Sequence, residues 1–179
     1  NNMEMANFLG ICYCELGDFQ KGMAIFNQIA VQDNPKYAED VVKAKENIKL
    51  YTNNRIAKLQ GENDFDGIIA FADEMLAVNP QDALAQKIRL QALFDKKDYA
   101  GVIASAEEAA AVQKVSKVGA KIDEEERSDV YFILGAAYNA RTMTPQAIDA
   151  LSKVTAGTNV AAAQKTVAQL KENAAKANS

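Results

Sequence analysis

The stretch NDFDGIIAFADEMLAVNP, from Asn63 to Pro80, combines a turn signal, an amphipathic helix and a stop signal. Its apolar residues recur at helical spacing, and the proline ends the pattern. The same phrase returns further along the chain, where Tyr99 lies 34 positions after Phe65. A repeated turn and helix with a 34-residue period predicts an array of stacked helical hairpins.

The composition favours a helical protein. Three prolines and nine glycines accompany 49% hydrophobic and 25% charged residues, and runs of alternating β-branched residues are absent. The formal net charge of −4 gives no general attraction to nucleic-acid phosphates or anionic lipid. No apolar run approaches the roughly 18–20 residues that a membrane span needs. We therefore expect a soluble chain with no nucleic-acid partner and no membrane span.

A second motif lies at both ends of the chain. Leu-Gly-x-x-Tyr occurs at 9–13, with Phe26 after it, and again at 134–138, with Leu151 after it. This arrangement resembles the tetratricopeptide repeat family, in which Leu-Gly-x-x-Tyr stands on the first helix of a hairpin and Ala-x-x-x-Phe on the second. The glycine is expected to let the two helices approach closely, with Phe26 filling the space between them.

The resemblance implies an all-α fold: a right-handed α-solenoid of antiparallel helix hairpins, with about four repeats and a C-terminal capping helix. We predict a single array over residues 1–179. Its hairpins are expected at about 2–34, 48–80, 83–115 and 127–156, with an extra helical segment at about 35–47, a charged connection at about 116–126 and the capping helix at about 158–175. The extra segment begins one long helix, or two short helices broken near Thr52. Thr144 is the predicted N-cap of the fourth hairpin's second helix, with Pro145 at its first position.

The middle two hairpins depart from the family pattern. Where the first hairpin has Leu-Gly, they carry Arg55-Ile56 and Arg89-Leu90. Bulky residues at the glycine position are expected to splay the helices or shift their register. Five aromatic residues recur at packing positions and are predicted to belong to the core: Phe8, Phe26, Phe65, Tyr99 and Tyr138.

The resemblance also implies a binding groove, because first helices line the concave surface of such arrays. The positions that fall on this surface are Asn7, Ile11, Asn53, Lys87, Gln91, Phe94, Phe132 and Asn139. Phe94 and Phe132 are the expected apolar anchors for a peptide, and the alternative is that both pack on the inserted segments. Some members of the family clamp the carboxylate end of chaperone tails with lysine, arginine and asparagine. Of the matching positions only Lys87 fits, so that clamp is predicted to be absent.

The sequence offers little for catalysis. The chain has no histidine, which excludes histidine-assisted nucleophiles and histidine-based zinc sites. Cys12 and Cys14 project about 200° apart on a helix, so they cannot pair with each other. We expect both to be buried apolar filler, because a metal or redox site would need further soft ligands. Glu4, Glu15, Asp95 and Asp129 can line the groove without catalytic spacing. We predict no enzyme, no cofactor and no metal. 

The predicted function is a non-catalytic scaffold that binds a peptide or partner protein in the concave groove. One alternative is self-assembly through the first hairpin, as a homodimer or as the continuation of an upstream array. Another is an accessory domain of a larger protein, since the chain opens directly in a helical pattern and is expected to be truncated. The small-residue stretch 153–163 resembles the ends of some bacterial cell-envelope repeat proteins. Cytoplasm and bacterial periplasm or envelope therefore both stay open.

Overall fold

The computed structural model describes residues 2–112 and 120–177, with side chains outside 107–112 and 120–123. Its described residues form helices and no strands, so the predicted all-α class is confirmed. In chain order the elements are α1 (Asn2–Glu15), α2 (Phe19–Ala30), a single-turn 3-10 helix (Pro35–Tyr37), α3 (Ala38–Gly61), α4 (Phe65–Val78), α5 (Ala83–Asp95), α6 (Tyr99–Val112), α7 (Ala120–Ala140), α8 (Thr144–Ser152) and α9 (Val160–Ala177). They belong to two compact units, whose described parts are residues 2–80 with 120–121 and residues 81–112 with 122–177.

One turn geometry joins the helices of four hairpins. A residue in the left-handed region ends each first helix: Gly17 (φ 85°), Asn63 (φ 54°), Lys97 (φ 62°) and Thr142 (φ 58°). The N–H of the following residue then donates to the carbonyl five positions earlier, at 2.8 Å in the first hairpin and 2.9 Å in the other three. This is the hydrogen bond of a Schellman motif, which satisfies the last carbonyls of a helix. The 34-residue spacing of Asn63 and Lys97 is therefore a repeat of backbone conformation as well as of sequence.

The second helices of three hairpins begin with the same cap. The carboxylates of Asp18, Asp64 and Asp98 accept from the backbone N–H three residues later, at 3.3, 2.8 and 2.9 Å. The fourth hairpin differs from our prediction. Met143 occupies the cap position of α8 without a side-chain hydrogen bond, and Thr144 is already the first helical residue. The Schellman turn fixes this register, because Met143 stands where the other three hairpins have aspartate.

The inserted segment before the second hairpin is one continuous helix. Helix α3 runs for 24 residues without the break considered near Thr52, and that side chain is fully buried. The 3-10 turn before it is capped by the Asn34 side chain, which accepts from Lys36 N–H at 3.0 Å. Buried residues at Val41, Ala44 and Ile48 keep helical spacing along this extension, which explains why it stays helical.

The charged connection is placed differently from the prediction. Residues 120–126 form the first turns of α7, so the acidic run from Glu124 lies in a helix. Residues 116–119 of the predicted connection lie outside the described part of the chain.

At two glycines the helices of a hairpin approach each other closely, as the Leu-Gly motif predicts. A Cβ atom at Gly10 of α1 would lie 2.5 Å from the Phe26 ring, and one at Gly135 of α7 would lie 2.5 Å from Leu151 Cγ. Phe26 is fully buried. The first helix and the second helix of these hairpins therefore touch at a point where only glycine fits.

The two arginines of the middle hairpins reach across their own hairpins. The Arg55 guanidinium lies 5.2 Å from the Phe71 ring centroid and 5.5 Å from that of Phe19. Arg89 donates to the Ser105 hydroxyl at 2.7 Å. Arg89 and Ser105 each lie 34 positions after Arg55 and Phe71, so equivalent positions are in contact in both hairpins.

Each unit has its own apolar core. In the first unit, buried side chains of α2, α3 and α4 include Phe26, Val41, Ile48, Phe71 and Met75. In the second unit the main cluster joins α5 to α8 through Leu90, Val102, Val130, Ile133, Leu134, Ala137, Tyr138 and Ala147. Helix α9 packs on α8 through Leu151, Val154 and Ala163. This last contact covers part of the surface that α8 would otherwise expose.

Candidate binding surfaces

The predicted groove residues are divided between the two units. Asn7, Ile11 and Asn53 lie in the first unit, and Lys87, Gln91, Phe94, Phe132 and Asn139 lie in the second. Within the first unit, Asn53 is exposed on α3 and Ile11 is partly buried.

Asn7 is part of the helix packing. It is buried, and its Nδ2 donates to the Asp40 carbonyl at 3.1 Å. The Asn7 amide thus connects α1 to the first turn of the α3 extension. Because the extension covers this side chain, Asn7 is closed to a ligand in this structure.

A second polar link joins α1 to α3. The Tyr51 hydroxyl donates to Glu15 Oε1 at 2.6 Å, and its ring stacks on Phe26 with 6.1 Å between centroids. Burial and the Glu15 carboxylate raise the pKa of Tyr51 to about 12. Both effects favour the neutral phenol, which donates the hydrogen bond.

The two cysteines are free thiols, as expected, and both are partly rather than fully buried. A Cβ at Gly22 would meet Cys14 Sγ, so this thiol fills space between α1 and α2. Burial, reinforced by the charges of Glu15 and Asp18, raises the pKa of Cys14 to about 11. A thiol in this state is a poor nucleophile at neutral pH.

Lys87 is held by two carboxylates of α7. Its Nζ lies 2.6 Å from Glu126 Oε2 and 3.2 Å from Asp129 Oδ2. Asn159 completes the network by donating to Asp129 Oδ1 at 2.8 Å. Burial of the ammonium group lowers the pKa of Lys87, but the hydrogen bonds and charges of the two carboxylates outweigh it and raise the pKa above its ordinary value. Lys87 thus connects α5 to α7, and its charge is already paired.

The same part of α7 also fixes the loop before α9. The buried Ser128 hydroxyl accepts from the backbone N–H groups of Thr155 and Ala156, at 3.2 and 3.0 Å. Asn159, which bonds Asp129, lies at the end of this loop. Four polar side chains therefore position the loop before α9 in the second unit: Lys87, Ser128, Asp129 and Asn159.

The two predicted anchors are partly buried. Phe94 packs edge-on against Tyr99, with 5.2 Å between ring centroids, and belongs to the edge of the α5–α8 core. Phe132 packs against the α8–α9 cluster. Gln91 and Asn139 are exposed, and Gln91 donates to Asp95 at 2.9 Å. Part of each aromatic side chain therefore contacts the core, and part stays accessible.

Among the described residues, four large apolar side chains are exposed on α1 and on Leu16 directly after it. Met5, Phe8, Leu9 and Leu16 are 71%, 68%, 49% and 83% exposed. Their spacing places them along one side of α1, and the partly buried Cys12 continues this side. We call these five residues the α1 apolar face. Our prediction that Phe8 belongs to the core is wrong, because the buried side of α1 carries Asn7 and Gly10 instead.

Sequence reasoning missed this surface because α1 is apolar on most sides. A helix that has one polar side shows which face is buried, whereas α1 has its polar Asn7 in the packed face and its large side chains outside. The close approach at Gly10 was the available signal. It places the packed side of α1 opposite Cys12, at the centre of the apolar face.

Among the described residues, no group of three histidine, cysteine, aspartate or glutamate side chains is arranged to hold a metal ion. The described helices also lack one that is long and apolar enough to span a membrane. Comparisons of the chain with protein-family models, curated proteins and solved structures gave no match.

Proposed function

We propose that the chain is a non-catalytic protein-interaction module, built as a right-handed tetratricopeptide-like solenoid of about four hairpins with α9 as the capping helix. Three features support this architecture. The four hairpins share one turn geometry, and glycine marks the close approach in the first and fourth hairpins. In the middle two hairpins, residues at equivalent positions, 34 apart, are in contact.

The α1 apolar face is the observation that carries the binding function. Large apolar side chains are scattered singly on most protein surfaces, and a contiguous group marks an interaction site. Here four such side chains, each about half exposed or more, share one side of α1 and of Leu16 directly after it. The simplest role for this face is to contact another protein surface that removes these side chains from water.

The concave groove is the second contact surface that we propose. In the second unit its accessible members are Gln91, Phe94, Phe132 and Asn139, which combine amide groups with aromatic edges. The amide groups can form hydrogen bonds with the backbone of an extended peptide, and the aromatic rings can contact its side chains. Lys87 supports this surface through Glu126 and Asp129 rather than binding a ligand carboxylate.

The test is quantitative capture of partners from extracts of the native organism on the immobilised chain. We expect a specific partner whose retention falls at least about tenfold when either Phe8→Asp on α1 or Phe132→Ala on α7 is introduced. Circular dichroism first confirms that each variant keeps its helices. Equal retention by the original chain, both variants and Phe94→Ala would contradict the interaction function.

Self-association is a second candidate function, and the size of the α1 apolar face favours it. Four large side chains at these exposures present on the order of 500 Å². Pairing two copies would bury on the order of 1,000 Å², near the lower limit for a specific interface. Sedimentation of the chain and of Phe8→Asp over a range of concentrations tests this candidate, which requires a dimer that the variant loses.

A further inference from the structure

Two acidic residues border the α1 apolar face on the same edge. Glu4 precedes Phe8 by one helical turn and Glu15 follows it by two. Since they are eleven residues apart, the two carboxylates project within about 20° of each other and lie about 16 Å apart along the helix axis. Both residues are exposed. The opposite edge, beside Leu9, carries no charged residue of α1.

We propose that the α1 apolar face is the docking site for an amphipathic helix of a partner protein that carries lysine or arginine along one edge. The proposal deepens the interaction function above and rests on it. A partner helix of at least three turns would cover Met5 to Leu16, and basic residues about three turns apart on its edge would meet Glu4 and Glu15. 

The acidic edge decides against a second copy of this chain as the occupant. An antiparallel pairing that aligns the two apolar faces brings Glu4 of one copy to the same level as Glu15 of the other, on the same side. Like charges at such a position weaken the contact. A parallel pairing separates the acids and turns them toward an edge where α1 has no lysine or arginine. Lys21 of α2 lies over the Tyr13 ring on that edge, and its ammonium group is already paired with Asp18 at 2.7 Å. A basic-edged helix satisfies the apolar and the charged parts of the surface together.

The experiment uses a designed 18-residue amphipathic peptide with one apolar stripe and lysines along one edge, and a matched peptide with glutamates at those positions. Fluorescence anisotropy with the full chain measures both affinities. We expect the lysine peptide to bind roughly tenfold more tightly than the glutamate peptide, since attraction replaces repulsion at two exposed pairs. The difference in affinity between the two peptides should shrink at 0.5 M salt, because the screening length for interactions between charges is then only about 4 Å.

Variants of the chain locate the site. Phe8→Asp is expected to lose both peptides, and Glu4→Lys is expected to remove or reverse the preference for lysine. Glu62→Lys is the matched control, because Glu62 is exposed at the end of α3 and the same charge change there should leave the preference intact. Glu15→Gln tests the second acid while keeping an acceptor for the Tyr51 hydroxyl.

Two results would overturn this proposal. One is equal binding of the two peptides, unaffected by Glu4→Lys. The other is a dimer in sedimentation that Phe8→Asp abolishes, which would make the second copy the occupant. Both results differ from failure of the proposed function, which requires that neither the Phe8→Asp nor the Phe132→Ala variant changes partner capture.

Discussion

At Gly10 the space that a side chain would need is filled by the ring of Phe26. We expect Gly10→Ala to destabilise the protein by about 1–3 kcal/mol, because the Cβ would lie 2.5 Å from a ring that is fully buried. This cost exceeds the roughly 1 kcal/mol that alanine gains over glycine in helix propensity. Urea unfolding at pH 7 measures the change.

The matched control for this prediction is Gly61→Ala in the last turn of α3. No atom lies within 4 Å of a Cβ built there, so only the propensity acts and the variant should be neutral or more stable by up to about 1 kcal/mol. Equal effects of the two substitutions would show that close packing at Gly10 is not what selects glycine.

Lys87 gives the second prediction at the scale of single residues. Lys87→Met removes the cation that lies 2.6 Å from the buried Glu126 carboxylate, and we expect a loss of about 2–4 kcal/mol in the free energy of unfolding. Glu126→Gln in the same chain should restore most of it. Lys176→Met, which removes an exposed ion pair with Glu172, is the control and should cost less than about 1 kcal/mol. Urea midpoints of the original chain and the three variants complete the comparison. An unchanged midpoint for Lys87→Met would contradict a structural role for this network.

At the scale of helices, the repeated cap gives a third prediction. Asp64→Ala and Asp98→Ala should each destabilise the protein by about 0.5–2 kcal/mol, because each carboxylate accepts from a first-turn N–H. Asn at either position should restore most of the stability, since its side-chain oxygen accepts the same bond. Thermal and urea unfolding measure both pairs. If neither alanine substitution changes the stability, water satisfies these first-turn N–H groups as well as the aspartate side chains do, and the caps do not stabilise the protein.

Two ionisable groups between α1, α2 and α3, the Cys14 thiol and the Tyr51 phenol, give a prediction at the scale of the whole molecule. The pKa values of Cys14 and Tyr51 are raised in the folded protein to about 11 and about 12, so the folded state holds these protons more tightly than the unfolded state. Their contribution to stability is complete below about pH 9 and is lost as the pH rises to about 12. Lys87, whose pKa is also raised, acts in the same direction at the alkaline end.

The measurement is the urea midpoint at intervals from pH 8 to pH 11. We expect the midpoint to fall from about pH 9, and we expect Cys14→Ser with Tyr51→Phe to fall less steeply over the same range. A second readout is the alkylation of Cys14 in a Cys12→Ser background. At pH 8 the folded protein should react roughly 100-fold more slowly than the urea-unfolded protein, because two pKa units change the thiolate fraction by that factor. Identical rates in the two states would contradict the raised pKa.

Local chemistry made the helices and their turns predictable from the sequence. Hairpin turns follow from residues such as Asn63-Asp64, and the Leu-Gly-x-x-Tyr motif predicts the close approach at Gly10, because only glycine permits that contact. One continuous helix at α3 was one of the two alternatives that the sequence left open. Thr144 was wrongly predicted as a cap, because the turn at Thr142 places the cap of α8 at Met143. In three hairpins the residue directly after the left-handed turn residue is an aspartate that caps the second helix. The same register in the fourth hairpin gives Met143 as the cap position.

Tertiary structure alone decided which sides of these helices are free. The sequence of α1 offers apolar residues on most sides, and only packing against α2 and α3 determines that Phe8 is exposed while Asn7 is buried. Likewise, Lys87 looks like an available cation until Glu126 and Asp129, about 40 positions later, are brought to its Nζ. Helix periodicity and turn chemistry act over a few residues and can be read directly. The choice of buried face and of ion-pair partner depends on residues far apart in the chain, so the sequence by itself determined the hairpins and the tertiary structure decided their surfaces.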